Sequence, residues 1–200
     1  LKCVFYSHNS SHKLTLPNIV LKHNSLKFPL RFFYEVYRYL LKTMEHLNSI
    51  KYNILQGTAD DTTAIAQFQV DMALESEGTK LNLDTVTQGV AAAMKDSAKG
   101  IYVVAKANDN PVASLMITQE WSDWNNQWYW WVQSVYVMPA HRGKGVYKAM
   151  YEKVKKMAAE HHVTQIRLYV DKTNHSAQQV YQKTGMLECH YLMYEEQLSK

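Results

Sequence analysis

A short basic turn that carries two glycines is the stretch of this sequence best suited to chemistry. It lies in residues 135–147, which read VYVMPAHRGKGVY, between an apolar strand and an amphipathic segment. Glycine lets a backbone approach a ligand closely and adopt a positive φ angle at little steric cost. A helix that begins at Gly145 directs its unpaired N–H groups and its positive dipole end outwards, beside Arg142 and Lys144. The turn therefore predicts a phosphate or pyrophosphate site.

The spacing of the two glycines excludes two common nucleotide-binding loops. The turn lacks the longer spacing and the Lys-Ser/Thr ending of a Walker loop, and it lacks the GxGxxG pattern of dinucleotide-binding folds. The alternative interpretation of the turn is a helix cap that binds no ligand. The elements around the turn distinguish that cap from a phosphate site.

Those elements predict a single α/β domain. Apolar residues recur at helical spacing in three regions and alternate along several shorter ones. After Gly145, for example, Val146, Met150, Val154 and Met157 share one helix face. The predicted strands are residues 52–55, 101–105, 112–120, 131–137, 165–170 and 188–194, and the predicted helices follow Asp61 and span 83–95, 145–160 and 176–184.

This order of elements predicts a mixed sheet. Strands 101–105, 112–120 and 131–137 follow one another through short turns, which favours antiparallel pairing. A crossover through the helix 145–160 makes its two flanking strands parallel. We therefore expect a mostly antiparallel sheet with helices on its faces and one parallel strand pair.

Charge and composition divide the chain into two parts. Residues 1–43 hold seven Lys/Arg and one acid, whereas the remaining residues hold 15 basic and 17 acidic groups. We interpret 1–43 as a basic N-terminal extension and 44–200 as the domain. Two interpretations of the extension stay open: a basic aromatic arm for a membrane surface or nucleic acid, or sequence upstream of a native start at Met44. Because the domain itself is slightly acidic, its charge argues against a nucleic-acid partner.

Cysteine content and hydropathy indicate the cellular setting. The two cysteines, Cys3 and Cys189, make no disulfide framework, which favours a cytoplasmic location. No stretch reaches the roughly 20 uninterrupted apolar residues that a membrane-spanning helix needs. The histidines show no spacing typical of metal ligands, so we expect no metal.

All five tryptophans lie within residues 121–131, around an Asn-Asn-Gln turn. Neighbours along a strand point to opposite faces, so some of these rings face the core and the others face solvent, a partner or a pocket. The sequence leaves core packing and pocket lining open for the cluster. If it lines a pocket, Trp124 and Trp128 are the candidate substrate-binding residues.

With these elements, two motifs resemble the GCN5-related N-acetyltransferase (GNAT) superfamily. Arg142 and Gly145 match the first and fourth positions of its acetyl-CoA loop, Gln/Arg-x-x-Gly-x-Gly/Ala, whereas Tyr147 departs from the small sixth residue. Residues 174–186 resemble its Asn-x-x-(Ala/Ser)-x-x-x-Tyr-x-x-x-Gly-(Phe/Met) segment through Asn174 and Tyr181. The resemblance covers residues 52–196 and implies that the parallel strands splay apart at the cofactor site.

The resemblance also implies roles for particular residues. Backbone groups of the strand Val135–Val137 should pair with the pantetheine arm of acetyl-CoA, and one N–H should polarise the acetyl carbonyl. Asn174 should contact the cofactor arm, and Tyr181 should protonate the departing thiolate. The loop that should hold the pyrophosphate comprises Arg142, Gly143, Lys144, Gly145, Val146 and Tyr147, and Tyr136 completes the cofactor-binding strand.

The function implied is transfer of an acetyl group from acetyl-CoA to a primary amine by direct attack in a ternary complex. The amine first has to lose a proton to a carboxylate, a histidine or a water chain. Glu120 at a strand end is our candidate base, Glu75 and Glu77 are alternatives, and an ordinary solvated acid is the other interpretation of Glu120. A small cationic acceptor would suit the many aromatic residues together with the acids Glu75, Glu77, Glu120 and Asp123, of which Glu75 is the candidate binding residue.

Two other functions stay open from the sequence. One is a protein-amine acetyltransferase that acts on N-termini or lysines. The other is an acyl-CoA-binding or partner-binding module with the same fold and no turnover, which the presence of both Asn174 and Tyr181 disfavours. The oligomeric state is open as well, and a homodimer is the assembly that the resemblance suggests.

Overall fold

A computed structural model describes residues 34–40 and 52–198. The predicted extension 1–43 and the predicted start at Met44 fall outside these residues, except that 34–40 are helical. The elements of the domain are β1 (Asn53–Gln56), α1 (Thr62–Glu77), α2 (Leu83–Lys95), β2 (Ile101–Ala107), β3 (Asn110–Ser122), β4 (Gln127–Val137), α3 (Val146–Glu160), β5 (Gln165–Arg167) and α4 (His175–Lys183).

The five strands form one sheet in the order β1-β2-β3-β4-β5. The first four strands pair antiparallel with their neighbours, whereas β4 and β5 pair in parallel through Tyr129–Trp131 and Gln165–Arg167. The helix α3 makes the crossover between those two strands. The mixed, mostly antiparallel sheet flanked by helices that the sequence predicted is thereby confirmed.

One face of the sheet, which we call the α3 face, carries the main core. Alternate residues of β3 and β4, among them Leu115, Ile117, Trp130 and Val132, point to this face and are almost completely buried. They join one apolar cluster with α3 residues such as Met150, which is fully buried. The helical spacing that the sequence showed after Gly145 therefore buries α3 against the sheet.

The opposite face, which we call the α1 face, is covered over only part of its area. Phe68 and Met72 of α1 pack against Tyr136, close to the end of β4. Ile65 of α1 packs with Tyr102 and other residues of β2 in a second cluster. Further along β3 and β4, the residues of this face that remain partly exposed are Met116, Thr118, Glu120, Trp131 and Gln133.

Two strand predictions at the β5 side of the sheet were wrong. The predicted strand 165–170 ends at Arg167, and residues 188–194 have no regular secondary structure. A strand needs a neighbouring backbone to pair with, and the three residues of β5 present a very short edge. Alternation of apolar side chains is insufficient without that pairing, and Tyr191, Leu192 and Tyr194 are largely exposed.

Candidate active site

The basic turn between β4 and α3 has the backbone conformation that the glycines predicted. Gly143 and Gly145 adopt left-handed φ angles of 71° and 77°, and α3 begins at Val146 directly after them. A Cβ atom built at either glycine meets no atom within 4 Å. The turn is therefore open on its outer side, where a ligand can approach the N–H groups at the start of α3.

The last residues of β4 direct some of their backbone groups away from β3. The N–H of Met138 donates to the carbonyl of Val112 at 2.9 Å, which makes these two residues a hydrogen-bonded pair in the ladder. Alternation along an antiparallel ladder then turns the backbone groups of Val137, opposite Ala113, to the other side. The Val137 carbonyl there accepts a hydrogen bond from Nε of Arg142 at 2.8 Å.

That other side is where β4 and β5 separate. Their pairing ends at Trp131 and Arg167, whereas β4 continues to Val137. A β-bulge at Ser134, with φ of 54°, adds one residue to β4 relative to β3 and bends the strand in this region. Residues 132–137 therefore present an edge to the space between the splayed strands, as the sequence interpretation requires for a pantetheine arm.

Arg142 connects this edge to the end of α1. Its Nη1 and Nη2 atoms lie 2.6 and 2.7 Å from the two carboxylate oxygens of Glu75, and its guanidinium lies 5.6 Å from the ring centre of Tyr136. Hydrogen bonds to Glu75 raise the pKa of Arg142, so the guanidinium stays charged. The structure thus places Glu75, which we expect from the sequence to bind the acceptor, against Arg142 of the glycine turn.

The side chains of Tyr181 and Tyr147 contact each other in the core that packs on the α3 face. Both side chains are buried, and their rings make an edge-to-face contact with centres 5.4 Å apart. The ring of Tyr147 also stacks on Tyr151 at 5.9 Å. The bulky residue at the sixth motif position therefore points into the core, which leaves the outer side of the glycine turn open.

Asn174 begins the helix that carries Tyr181. Its Oδ1 atom accepts a hydrogen bond from the N–H of Ala177 at 3.0 Å and so caps the N-terminus of α4. The cap fixes the start of α4, and Tyr181 follows two turns later in the same helix. Asn174 thus positions Tyr181 in the core beside Tyr147.

The structure does not bring Glu120 to the end of β4. Glu120 pairs with Tyr129, which precedes Val135 by six residues, or roughly 20 Å along a strand. Its carboxylate accepts hydrogen bonds from Nη1 of Arg167, at 3.0 Å, and from Nε1 of Trp131. Its position and partners therefore separate it from the residues expected to hold the thioester.

The two candidate substrate-binding tryptophans lie at the far end of the β3–β4 hairpin. Trp124 is 90% exposed at the tip, and Trp128 makes an edge-to-face contact with Trp121 across the strands. Trp130, in contrast, is buried in the core of the α3 face. The cluster thus divides between core and surface, and its exposed rings are remote from the glycine turn.

His141, at the start of the turn, contacts Tyr52, the residue that precedes β1. Its Nδ1 atom is hydrogen bonded to the hydroxyl of Tyr52 at 3.1 Å. Partial burial, and secondly the charge of Lys144, lower the pKa of His141 from its usual 6.5. A neutral His141 keeps Nδ1 available as an acceptor for the Tyr52 hydroxyl, so this contact ties the turn to the first strand near neutral pH.

Sequence reasoning missed Arg167 as a functional candidate. Its guanidinium lies 4.4 Å from the ring centre of Tyr129 and 5.7 Å from that of Trp131, and its Nη2 atom bonds Gln165 at 3.0 Å. The available signal was the alternation of residues 165–167, which sets a basic side chain on the face opposite Ile166. The parallel register that brings it beside Trp131 could not be read from the sequence.

Residues 34–40 and 52–198 contain neither a membrane-spanning helix nor a cluster of metal-ligating side chains. None of their helices is both long and apolar enough to cross a membrane. No group of three or more His, Cys, Asp or Glu side chains in the same residues could hold a metal ion.

Comparison with known proteins decides the family. The model of the acetyltransferase (GNAT) family matches residues 64–186. The chain belongs to the GNAT family of acetyltransferases. A solved structure named as a possible acetyltransferase, from Clostridium difficile 630, is 38% identical with a TM-score of 0.70, and the match covers 74% of this chain and 99% of that one.

Two more distant GNAT-like structures share the fold alone. A predicted acetyltransferase from Clostridium acetobutylicum, solved with acetyl-CoA, is 18% identical with a TM-score of 0.61, over 73% of this chain and 96% of that one. A ribosomal-protein-alanine N-acetyltransferase from Brucella melitensis biovar Abortus is 16% identical with a TM-score of 0.63, over 74% of this chain and all of that one, at 100%. No curated protein matches the sequence significantly.

Membership of the GNAT family supports an acetyl-CoA-dependent acetyltransferase, and the site fits that cosubstrate. Acetyl-CoA offers a pyrophosphate and an extended amide-containing arm. Gly143 and Gly145 are open on their outer side, and β4 continues beyond its last pairing with β5. Lys144, exposed in the same turn, adds positive charge for the phosphates.

Proposed function

We propose that the protein transfers an acetyl group from acetyl-CoA to a primary amine, by direct attack while both substrates are bound. The observation that carries this proposal is the adjacency of the open glycine turn and the splayed edge of β4. The turn offers N–H groups for the pyrophosphate at the start of α3, and the edge offers backbone groups of Val135 and Val137 for the pantetheine arm. Holding both reactants in one orientation makes the attack effectively unimolecular.

The cosubstrate supplies an activated acetyl thioester. A backbone N–H of the β4 edge, from Val135 or Val137, donates to the carbonyl oxygen and stabilises the charge that develops there. The amine nitrogen forms the new bond to the acetyl carbon, and the carbon–sulfur bond breaks. Tyr181 gives its phenolic proton to the departing thiolate, for which it is suited because a thiol and a phenol have comparable pKa values. The nitrogen releases one proton to solvent as the amide forms, and solvent returns one proton to the Tyr181 phenolate.

The amine has to reach the thioester without its extra proton. We propose that this proton leaves through solvent on the partly exposed α1 face. Glu120 is too far away to accept it directly, because its β4 partner Tyr129 lies roughly 20 Å along the strand from Val135. The side chains at this face between them are Trp131 and Gln133, and Gln133 is held by Thr118 through a 2.9 Å hydrogen bond. Glu120 is therefore removed from direct base catalysis in this proposal.

The acceptor is best described first as a primary amine. A small cationic molecule was the sequence-based expectation, and it rested partly on Glu75 and Glu120. Each of these carboxylates is paired with an arginine, Arg142 and Arg167 respectively, which weakens the charge argument for a cation.

Two measurements test this function together. Acetyl-CoA at millimolar concentration should raise the melting temperature, because a ligand that binds only the folded state stabilises it. A panel of amines should then show release of free CoA and the matching acetylated amine by mass spectrometry. Absence of a thermal shift would remove the cofactor assignment, and a thermal shift without CoA release from any amine would favour a binding module.

A further inference from the structure

Five side chains form a mixed aromatic and charged cluster at the point where β4 and β5 separate. We call it the rim cluster, and it consists of Glu120, Tyr129, Trp131, Arg167 and Tyr169. Trp131 and Arg167 are the last paired residues of the two strands, so the cluster borders the opening between them. The ring of Tyr169 lies 6.2 Å from that of Trp131, beyond the end of β5.

The rim cluster lies on the face from which an amine can approach. The register sets Glu120, Tyr129, Trp131 and Arg167 on the α1 face, whereas Tyr181 belongs to the core of the α3 face. The helices α1 and α2 cover only the other part of the α1 face, through clusters with Tyr136 and with β2. An acceptor that approaches the space between the splayed strands from the uncovered part of this face therefore passes the rim cluster.

Arg167 is held at the rim in a fixed orientation. Its guanidinium stacks on Tyr129, its Nη1 atom bonds Glu120 and its Nη2 atom bonds Gln165. A guanidinium has five N–H donors in a rigid fork, so these two contacts leave capacity for a further acceptor. The side chain is 30% exposed, which makes that capacity accessible from solvent.

The chemistry of the cluster favours an anion as its ligand. The Glu120 carboxylate already accepts hydrogen bonds from Trp131 and Arg167, so an incoming cation would compete with two bound donors. An incoming carboxylate can instead accept hydrogen bonds from the N–H groups of Arg167 that Glu120 and Gln165 leave open. Stacking on the Tyr129 ring keeps the guanidinium in place for that contact.

The position of Arg167 sets the length of the acceptor. Trp131, beside Arg167, precedes Val135 by four residues, or roughly 13 Å along the strand. An extended peptide spans that distance with about four residues. We propose that the acceptor is an elongated, peptide-like amine whose carboxylate, about four residues from the reactive nitrogen, binds Arg167. This assignment rests on the proposed function and specifies the substrate class of the same site.

Oligoglycine peptides of increasing length can measure the distance between the reactive nitrogen and the carboxylate that binds Arg167. Each has a single amine at its N-terminus, and each is made with a free C-terminal carboxylate and as the C-terminal amide. We would measure kcat/KM for acetylation of peptides from about two to six residues and take the acid-to-amide ratio at each length. The ratio should be near one for the shortest peptides and rise to about tenfold near four residues, because only then does the carboxylate reach Arg167.

Variants identify the side chain responsible. Arg167→Gln should return the ratio to about one at every length, whereas Glu120→Gln should keep it or raise it, since a competing carboxylate is lost. The double variant Arg167→Gln/Glu120→Gln replaces the ion pair by two neutral amides that can still bond each other. It shows whether an effect of Arg167→Gln comes only from leaving Glu120 unpaired. Melting temperatures with and without acetyl-CoA verify that each variant folds and binds the cosubstrate.

The outcomes separate this assignment from the proposed function. A thermal shift with acetyl-CoA together with a flat ratio, or with a length-dependent ratio that survives in Arg167→Gln, overturns the role of Arg167 and leaves the acetyltransferase intact. Acetylation of small amines but of no oligoglycine overturns the peptide-like acceptor. Absence of any thermal shift with acetyl-CoA instead contradicts the proposed function itself.

Discussion

The guanidinium of Arg142 and the carboxylate of Glu75 form a bidentate ion pair between the glycine turn and the end of α1. The two contacts measure 2.6 and 2.7 Å, and the Arg142 and Glu75 side chains are only 11% and 28% exposed. The third nitrogen of Arg142 bonds the carbonyl of Val137. Glu75 therefore positions the arginine that connects the glycine turn to the last residue of β4.

Glu75→Gln should weaken acetyl-CoA binding more than it slows the chemical step. Removal of one partner from a largely buried ion pair leaves the other charge uncompensated, at a cost of about 3 kcal/mol. We expect KM for acetyl-CoA to rise about tenfold with kcat changed by less than about threefold, measured by CoA release. Glu77→Gln, on the exposed end of the same helix, is the matched control; an equal effect there would contradict a specific role for Glu75.

Tyr181→Phe should lower kcat by about a hundredfold at constant acetyl-CoA affinity, because a positioned general acid typically contributes at least that factor. Affinity can be followed by titration calorimetry and kcat by CoA release across pH. The control is Tyr151→Phe, which alters a second buried tyrosine that contacts the same Tyr147 ring. Unchanged turnover in Tyr181→Phe would eliminate its role as an acid.

Three glycine-to-alanine variants separate strain from ligand binding. Gly143, Gly145 and Gly78 all have left-handed φ angles and free space around a built Cβ, so each substitution should cost about 1–2 kcal/mol of stability. Only Gly143→Ala and Gly145→Ala should also reduce acetyl-CoA affinity, by about tenfold or more. Thermal unfolding and calorimetry distinguish the two effects, and loss of affinity in Gly78→Ala would indicate an indirect cause.

Stability should depend on pH through His141. Burial and the charge of Lys144 lower its pKa in the folded state, so the unfolded chain binds this proton more tightly. The contribution of His141 is therefore fully present above the unfolded pKa of about 6.5 and is lost as the pH falls towards the folded-state pKa. In denaturant titrations at several pH values, His141→Gln should lose less stability than the wild type across this window. Parallel curves would refute the assignment.

The sequence could predict the elements that periodicity defines, together with the loop that glycine and charge define. The face of α3 built from Val146, Met150 and Val154 is one example, and the positive φ angles at Gly143 and Gly145 are another. Both depend on neighbours within a few residues of one another. Local physics was sufficient for them.

Contacts between distant residues could not be predicted in the same way. Arg142 and Glu75 are 67 residues apart in the chain, and Arg167 and Glu120 are 47 apart. Whether each acid is paired or solvated cannot be read from the sequence. The pairing of Glu75 depends on how α1 packs on the sheet, and that of Glu120 depends on sheet register. The bulge at Ser134, which shifts the register between β3 and β4, has no distinctive residue type to indicate it.

The predicted strand 188–194 shows that alternating apolar side chains do not by themselves establish a strand. Its alternation of apolar side chains satisfies the pattern of a strand, yet pattern alone supplies no neighbour for its backbone. In the described structure, β5 is the edge of the sheet and spans only Gln165–Arg167. The outcome was decided by the length of an adjacent strand and not by the segment itself.

Amide hydrogen exchange with and without acetyl-CoA tests the central claim most directly. The claim is that the splayed edge of β4 and the glycine turn hold the cosubstrate. Acetyl-CoA should slow exchange in peptides that cover residues 132–147 and the start of α3, with little change at the β3–β4 hairpin tip around Trp124. Protection confined to the hairpin tip, or none within 132–147 at saturating acetyl-CoA, would contradict the assignment.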